Sequence, residues 1–262
     1  MDLAAYDSPV RHRRSWRSFV RAVGRSHNYS GILRTLFLCD RPIDFIRRYV
    51  TGRGSYPTAI ILMTPAGKLR LNCYSPDDVQ TINEIFFRED YRVDDDVNVI
   101  VDFGSNIGFS CAYFLSRDRQ AFCYAFEPLA QNVERLRSTL APFRDRYELA
   151  ATAVGTTEGV VSFGWEPTGR YGGIGQLTGK YIEVPCRDSN AVLDEIITRH
   201  GEIGLLKVDI ETMEKVVVSR IPTHLAERIK HIIVEFPFKK NPLSATHHMR
   251  SGHFLTRFHR KW

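Results

Sequence analysis

The chain predicts an α/β fold, a doubly wound and mostly parallel sheet preceded by a helix and β-hairpin extension. Three observations predict it. From residue 97 to residue 236, short apolar runs alternate with segments of helical spacing, the pattern of a parallel sheet with helices on both faces. The run Val99-Ile-Val-Asp102-Phe-Gly104-Ser105-Asn106-Ile107-Gly108 reads as a strand that ends in an acid and turns through two glycines into a helix near Phe109. The next apolar run, residues 121–126, ends in Glu127-Pro128, 25 residues after Asp102. That is close to the ~20-residue spacing at which a second strand-end acid meets the hydroxyls of a ribose.

The elements follow in order. Residues 11–25 place Trp16, Phe19, Val20 and Val23 at helical spacing among arginines and predict a capping helix. Residues 32–38 and 43–49 read as short helices broken at Asp40-Arg41-Pro42. Residues 58–63 and 68–73 read as a hairpin about Thr64-Pro65-Ala66-Gly67, and Ser75-Pro76-Asp77 starts a helix that runs to about residue 87. Residues 1–90 are therefore expected to form a helical and β-hairpin cap, and residues 91–262 the ligand-binding domain. Within the latter, a helix is expected at 129–140, strands at 147–154, 159–165 and 181–186, and a helix at 190–200. The glycine-rich loop 170–175 suits either a lid or a long hairpin turn. A buried strand at 203–210 and another at 230–236, carrying Glu235 near its end, complete the alternation. After that only a helix-like stretch at 244–250 and one strand at 254–259 are read, which leaves the sheet edge short of a strand. An uncovered edge invites pairing, so a homodimer is expected.

The balance of charge excludes some functions. The net charge is +6, yet residues 1–25 hold six arginines against two acids, and residues 237–262 hold six Lys or Arg and no acid. The middle of the chain is mildly acidic, which argues against nucleic-acid binding across the domain. No apolar run approaches the ~20 residues of a membrane span, and no signal peptide opens the chain, so a cytoplasmic protein is expected. The five dispersed cysteines read as reduced core residues.

Asp102 would repel a pyrophosphate and suits a ligand bearing an ammonium or sulfonium, which points toward S-adenosylmethionine. A nicotinamide reading needs a third glycine that this turn lacks. Asp102-Phe-Gly-Ser-Asn-Ile-Gly108, Phe126-Glu127-Pro128 and Leu206-Lys207-Val-Asp209-Ile-Glu211-Thr-Met-Glu214 together resemble the FkbM-type, S-adenosylmethionine-dependent methyltransferases, over residues 56–236. Thr212 stands where that pattern has glycine. The resemblance implies a class I methyltransferase, Rossmann-like fold, a cap packed over the cofactor mouth, and methyl transfer most often to oxygen. The implied acceptor is a sugar, a polyketide or peptide natural product, or another secondary metabolite. Transfer to nitrogen or carbon on the same fold, and a non-catalytic cofactor-binding or partner-binding module with basic ends, are the competing readings.

Ligands of a doubly wound sheet sit at the carboxyl ends of its strands. The turn residues Gly104, Ser105, Asn106 and Gly108 are expected at the cofactor, with Asp102 and Asn106 at its methionine part. Glu127, followed by Pro128, is expected at the ribose, and Ala153-Val154 at the adenine. Asp209 falls beside the methyl donor and is the first candidate base, with Glu211, Glu235 and His248 of the pair His247-His248 as alternatives. Clustered carboxylates can hold Mg²⁺, but no metal site is assigned. A structural use, Lys207 pairing with Glu211 or Glu214, stands as the alternative to these roles.

Overall fold

The computed structural model describes residues 26–94, 97–169 and 172–261. The helix expected at 11–25 lies outside them. The cap begins with α1 (Ser26–Leu38) and α2 (Pro42–Thr51), followed by the antiparallel hairpin of β1 (Thr58–Thr64) and β2 (Gly67–Cys73). Helix α3 (Pro76–Ile82) starts where the sequence predicts. Ser75 accepts from the Asp78 N–H, the Asp78 carboxylate accepts from the Ser75 N–H, and Pro76 needs no partner in the first turn. A π-helical turn, Asn83–Phe87, continues it to the expected end.

The core domain runs through β3 (Val99–Phe103), α4 (Phe109–Arg117), β4 (Phe122–Phe126), α5 (Ala130–Thr139), β5 (Tyr147–Ala150), β6 (Ala153–Gly155), β7 (Gly159–Trp165), β8 (Gly172–Ile174) and β9 (Tyr181–Asp188). It continues through α6 (Ser189–His200), β10 (Ile203–Val208), α7 (Glu214–Ser219), α8 (Thr223–Ala226), β11 (Ile229–Val234), β12 (His247–Ser251) and β13 (Thr256–Arg260). Seven strands form the main sheet in the order β12-β13-β11-β10-β3-β4-β5. β13 alone runs antiparallel to its neighbours. Chain direction across the sheet reverses between β3 and β10, which is the switch point where such sheets bind ligands. The order and the single antiparallel strand are those of the class I methyltransferase fold the sequence predicts.

Strand period sorts the core into two faces. Ile100 packs with Cys123, Leu205, α4 and the cap, whereas Val101 and Phe103 pack with Leu206, Val208, α6 and α8. β10 is buried at every position, as befits a parallel strand covered on both sides. Helix α4 is buried from Phe109 to Ser116 because the sheet lies on one side and the cap on the other.

Two expectations are corrected. The strand expected at 147–154 breaks at Thr152: β5 ends the main sheet, while β6 joins a separate sheet of order β6-β9-β7-β8. The carboxyl end is not short of a strand. The segment expected as a helix at 244–250 turns at Leu243–His247, through the Thr246 and His247 N–H groups bonded to Leu243 O, and becomes β12. β13 pairs with both β11 and β12. The sheet is complete within the chain, so the argument for a dimer from a missing strand falls. The glycine loop is a hairpin in its described part, with Gly172–Ile174 paired to β7. All five cysteines are buried and free. Among the described residues no helix is long and apolar enough to cross a membrane.

Candidate functional site

The switch point opens a cleft of about 1340 Å³ at the carboxyl ends of the strands, larger than the ~300–1,000 Å³ usual for one small ligand. The hydrogen-bond ladder runs one residue past each strand and so sets its floor. Gly104 N–H donates to Phe126 O at 3.1 Å, Asp209 N–H to Phe103 O at 3.0 Å, and Glu235 N–H to Val208 O at 3.0 Å. Gly104 has φ +83°, and a Cβ there would stand 1.7 Å from the Asp209 carbonyl oxygen, so only glycine lets the two turns meet.

Lys207 anchors this floor. It lies opposite Asp102 in the parallel register and is 2% exposed. Its ammonium reaches Asp102 Oδ1 at 3.0 Å, Gly104 O at 3.1 Å and Asp209 Oδ2 at 3.2 Å. Burial pulls its pKa down, but the charges of Asp102, Asp209 and Glu235 outweigh that and hold it above the usual lysine value. Asp102 also accepts from Ser110 Oγ and from Cys111 Sγ at 3.2 Å on α4, and is 0% exposed. The alternative pairing of Lys207 with Glu211 or Glu214 is therefore replaced by Asp102 and Asp209. The expected contact of Asp102 with a ligand is replaced by an internal ion pair.

Glu127 forms one wall. Its carboxylate accepts from Asn106 N–H at 3.0 Å, Leu129 N–H at 2.9 Å and Asn132 Nδ2 at 3.3 Å. Among the described residues no cation touches it, and burial pushes its pKa up to about 7 against those hydrogen bonds. Asn132 Nδ2 also donates to Gly169 O at 2.7 Å, which draws the loop after β7 onto α5. Asn132 Oδ1 is buried beside this wall without a partner among the described residues. A carboxylate and an unsatisfied buried acceptor together call for a ligand rich in donors, as the hydroxyls and amino group of a nucleoside are.

The opposite side holds Asp209 and Glu235. The charge of Asp209, then burial, push the Glu235 pKa up to about 8, while Lys207 and a hydrogen bond from the Tyr91 hydroxyl pull the other way. The motif turn closes with Ile210 N–H donating to Glu214 Oε1 at 3.2 Å. Its two left-handed residues are Glu211 at φ +52° and Thr212 at φ +68°. Thr212 keeps the backbone shape usually left to glycine, and its hydroxyl donates to Ile174 O at 2.7 Å, tying β8 to the turn.

Of the predicted residues, Gly104, Ser105, Asn106, Glu127, Pro128, Ala153, Val154, Asp209, Glu211 and Glu235 line the cleft. Ala153 and Val154 do so from the second sheet. Gly108 instead opens α4 against α5, where a Cβ would stand 3.0 Å from Leu136 Cγ. His248 is corrected outright: it sits exposed on edge strand β12 opposite His259, away from the cleft. Its neighbour His247 is buried between Thr246 Oγ1 and Ile229 O, and burial pulls its pKa down to about 4. Tyr91 and Asn132 were not singled out in the sequence, where neither belongs to a motif. Among the described residues no group of three or more His, Cys, Asp or Glu side chains is arranged to hold a metal ion.

Comparison with known proteins gives three results. The model of the methyltransferase FkbM domain matches residues 102–257. Over 140 residues, 53% of this chain, the sequence is 24% identical to the AMB antimetabolite synthetase AmbE of Pseudomonas aeruginosa, of which the match spans 6%. Among solved structures, the chain is similar to a putative rRNA-methylase from Clostridium thermocellum, with 9% identity, TM-score 0.40, and 69% of this chain and 93% of that one covered. It is also similar to a putative caffeoyl-CoA O-methyltransferase from Staphylococcus aureus, with 10% identity, TM-score 0.38, and 63% and 76% covered.

Proposed function

Because the chain belongs to the FkbM methyltransferase family, we propose that it methylates a hydroxyl of a small acceptor, a sugar or secondary metabolite, with S-adenosylmethionine as donor. The observation that carries this reading is the division of the cleft between Glu127 with Asn132 on one side and Asp209 with Glu235 on the other. Glu127 suits the ribose diol, Asn132 Oδ1 a further donor of the nucleoside, and Asn106 the methionine part. Ala153 and Val154, beside Leu129 and Phe163, offer an apolar seat for adenine. When bound, the cofactor supplies an electrophilic methyl on a sulfonium, and the acids at Asp209 and Glu235 favour that positive charge.

A hydroxyl acceptor needs a base whose pKa lies near working pH. Glu235, at about 8, meets that need, and Asp209, paired to Lys207, supplies the charge that tunes it. This moves the assignment of base from Asp209 to Glu235. The cleft is large enough for donor and acceptor together. The likeness to a stretch of an antimetabolite synthetase is in keeping with a natural-product acceptor.

Calorimetric titration of S-adenosylhomocysteine into the wild type and Glu127→Ala tests the donor site. Saturable binding by the wild type, weakened by about 1.5–3 kcal/mol in the variant as a charged hydrogen bond is lost, is the expected result. No binding by the wild type would overturn the reading.

A further inference from the structure

We propose that Tyr91, on the segment that joins the cap to β3, is a positioning residue for Glu235: its hydroxyl holds Glu235 Oε1 and leaves Oε2 facing the acceptor. The inference rests on reading Glu235 as the base.

The phenol is fixed in place. Tyr91 is 4% exposed, and its ring stacks on Phe114 with centroids 6.3 Å apart and planes 24° apart. Lys207 Nζ lies 5.7 Å from the ring centroid. A side chain with two rotatable bonds, packed this way, cannot swing its hydroxyl elsewhere. That hydroxyl donates to Glu235 Oε1, and among the described residues Oε2 receives no hydrogen bond. Among the described residues Glu235 has no other donor to orient it, so without Tyr91 the carboxylate would rotate freely. The charged groups facing the pair are Lys207 from β10 and Asp209 just after it, Asp102 from β3 and Glu84 from the π-helical turn. From β13, Arg257 reaches the Asp90 carbonyl next to Tyr91.

A donor to the ionised carboxylate lowers its pKa, and removing the donor raises it. The test follows the carboxyl resonance of Glu235 by ¹³C NMR in the full chain labelled at glutamate, with Glu235→Gln identifying the signal; no acceptor is needed. The wild-type midpoint is expected near 8, and in Tyr91→Phe it moves up by about 0.5 pH or more. A midpoint near 8 that Tyr91→Phe leaves unmoved or lowers overturns the role of Tyr91 and spares the base. A wild-type midpoint in the ordinary glutamate range overturns the base, and the inference with it. Should Tyr91→Phe fail to fold, the ring Cζ signal of Tyr91 in the wild type decides. It is expected to shift at the Glu235 midpoint and not in Glu235→Gln; a flat signal overturns the proposal.

Discussion

Asp102 and Glu127 end neighbouring strands, yet they sit in opposite electrostatic worlds. Asp102 is wholly buried and held by an ammonium, a hydroxyl and a thiol. Glu127 is 5% exposed, is held by two backbone N–H groups and an amide, and among the described residues meets no cation. The first acid is spent on the fold, and the second keeps lone pairs and an awkward charge that a ligand can relieve. In a strand-end motif, the acid that finds a lysine builds the floor, and the acid that does not is left for chemistry.

The largest expected effect breaks the floor. Lys207→Met leaves Asp102 buried without its cation and should cost about 3–5 kcal/mol of stability, read by urea unfolding. Adding Asp102→Asn in the same chain should recover much of that, because the uncompensated charge is gone. A Lys207→Met protein as stable as the wild type would mean that the pair contributes nothing.

A middle effect sharpens the other side. On the proposed reading a ribose diol donates to ionised Glu127, so affinity for S-adenosylhomocysteine should fall as pH drops through about 7 and Glu127 takes up a proton. The expected slope approaches tenfold per pH below that point. In Glu127→Gln the calorimetric affinity should be weaker at pH 8 and nearly flat with pH. An equally steep slope in that variant would assign the titration to another group.

The smallest effect concerns Thr212→Gly. The change removes a β-branched residue from left-handed backbone, a relief of about 1–2 kcal/mol. It also loses a hydrogen bond worth about 1 kcal/mol and adds unfolded-chain entropy. Net stability should change by less than about 1 kcal/mol, while amide exchange across 172–176 quickens as β8 loses its tie to the motif turn. Unchanged exchange would show that the Thr212 hydroxyl does not hold β8.

The alternation of apolar strands and helices made β3, β4, β10 and β11 legible, and with them the cleft and its residues Glu127, Asp209 and Glu235. Nothing in the sequence separates Asp102 from Glu127, because the partner that neutralises Asp102 stands 105 residues away. The break at Thr152 was hidden because residues 147–154 read as one continuous run. β12 was missed because its residues, His-His-Met-Arg-Ser, lack the apolar alternation of a buried strand. It lies on an edge, where pairing with β13 suffices. Tyr91 carried no signal at all, since only the folded chain brings it to Glu235, 144 residues on.

The lining of the cleft draws on Tyr49, Thr81, Glu84, Ile85 and Tyr91, all of which precede residue 102, where the match to the family begins. Glu127, Asn132, Asp209 and Glu235, which line it too, lie within the match. One binding surface is thus shared between the matched stretch and the chain ahead of it. Neither stretch, cut from the other, would carry the whole of it.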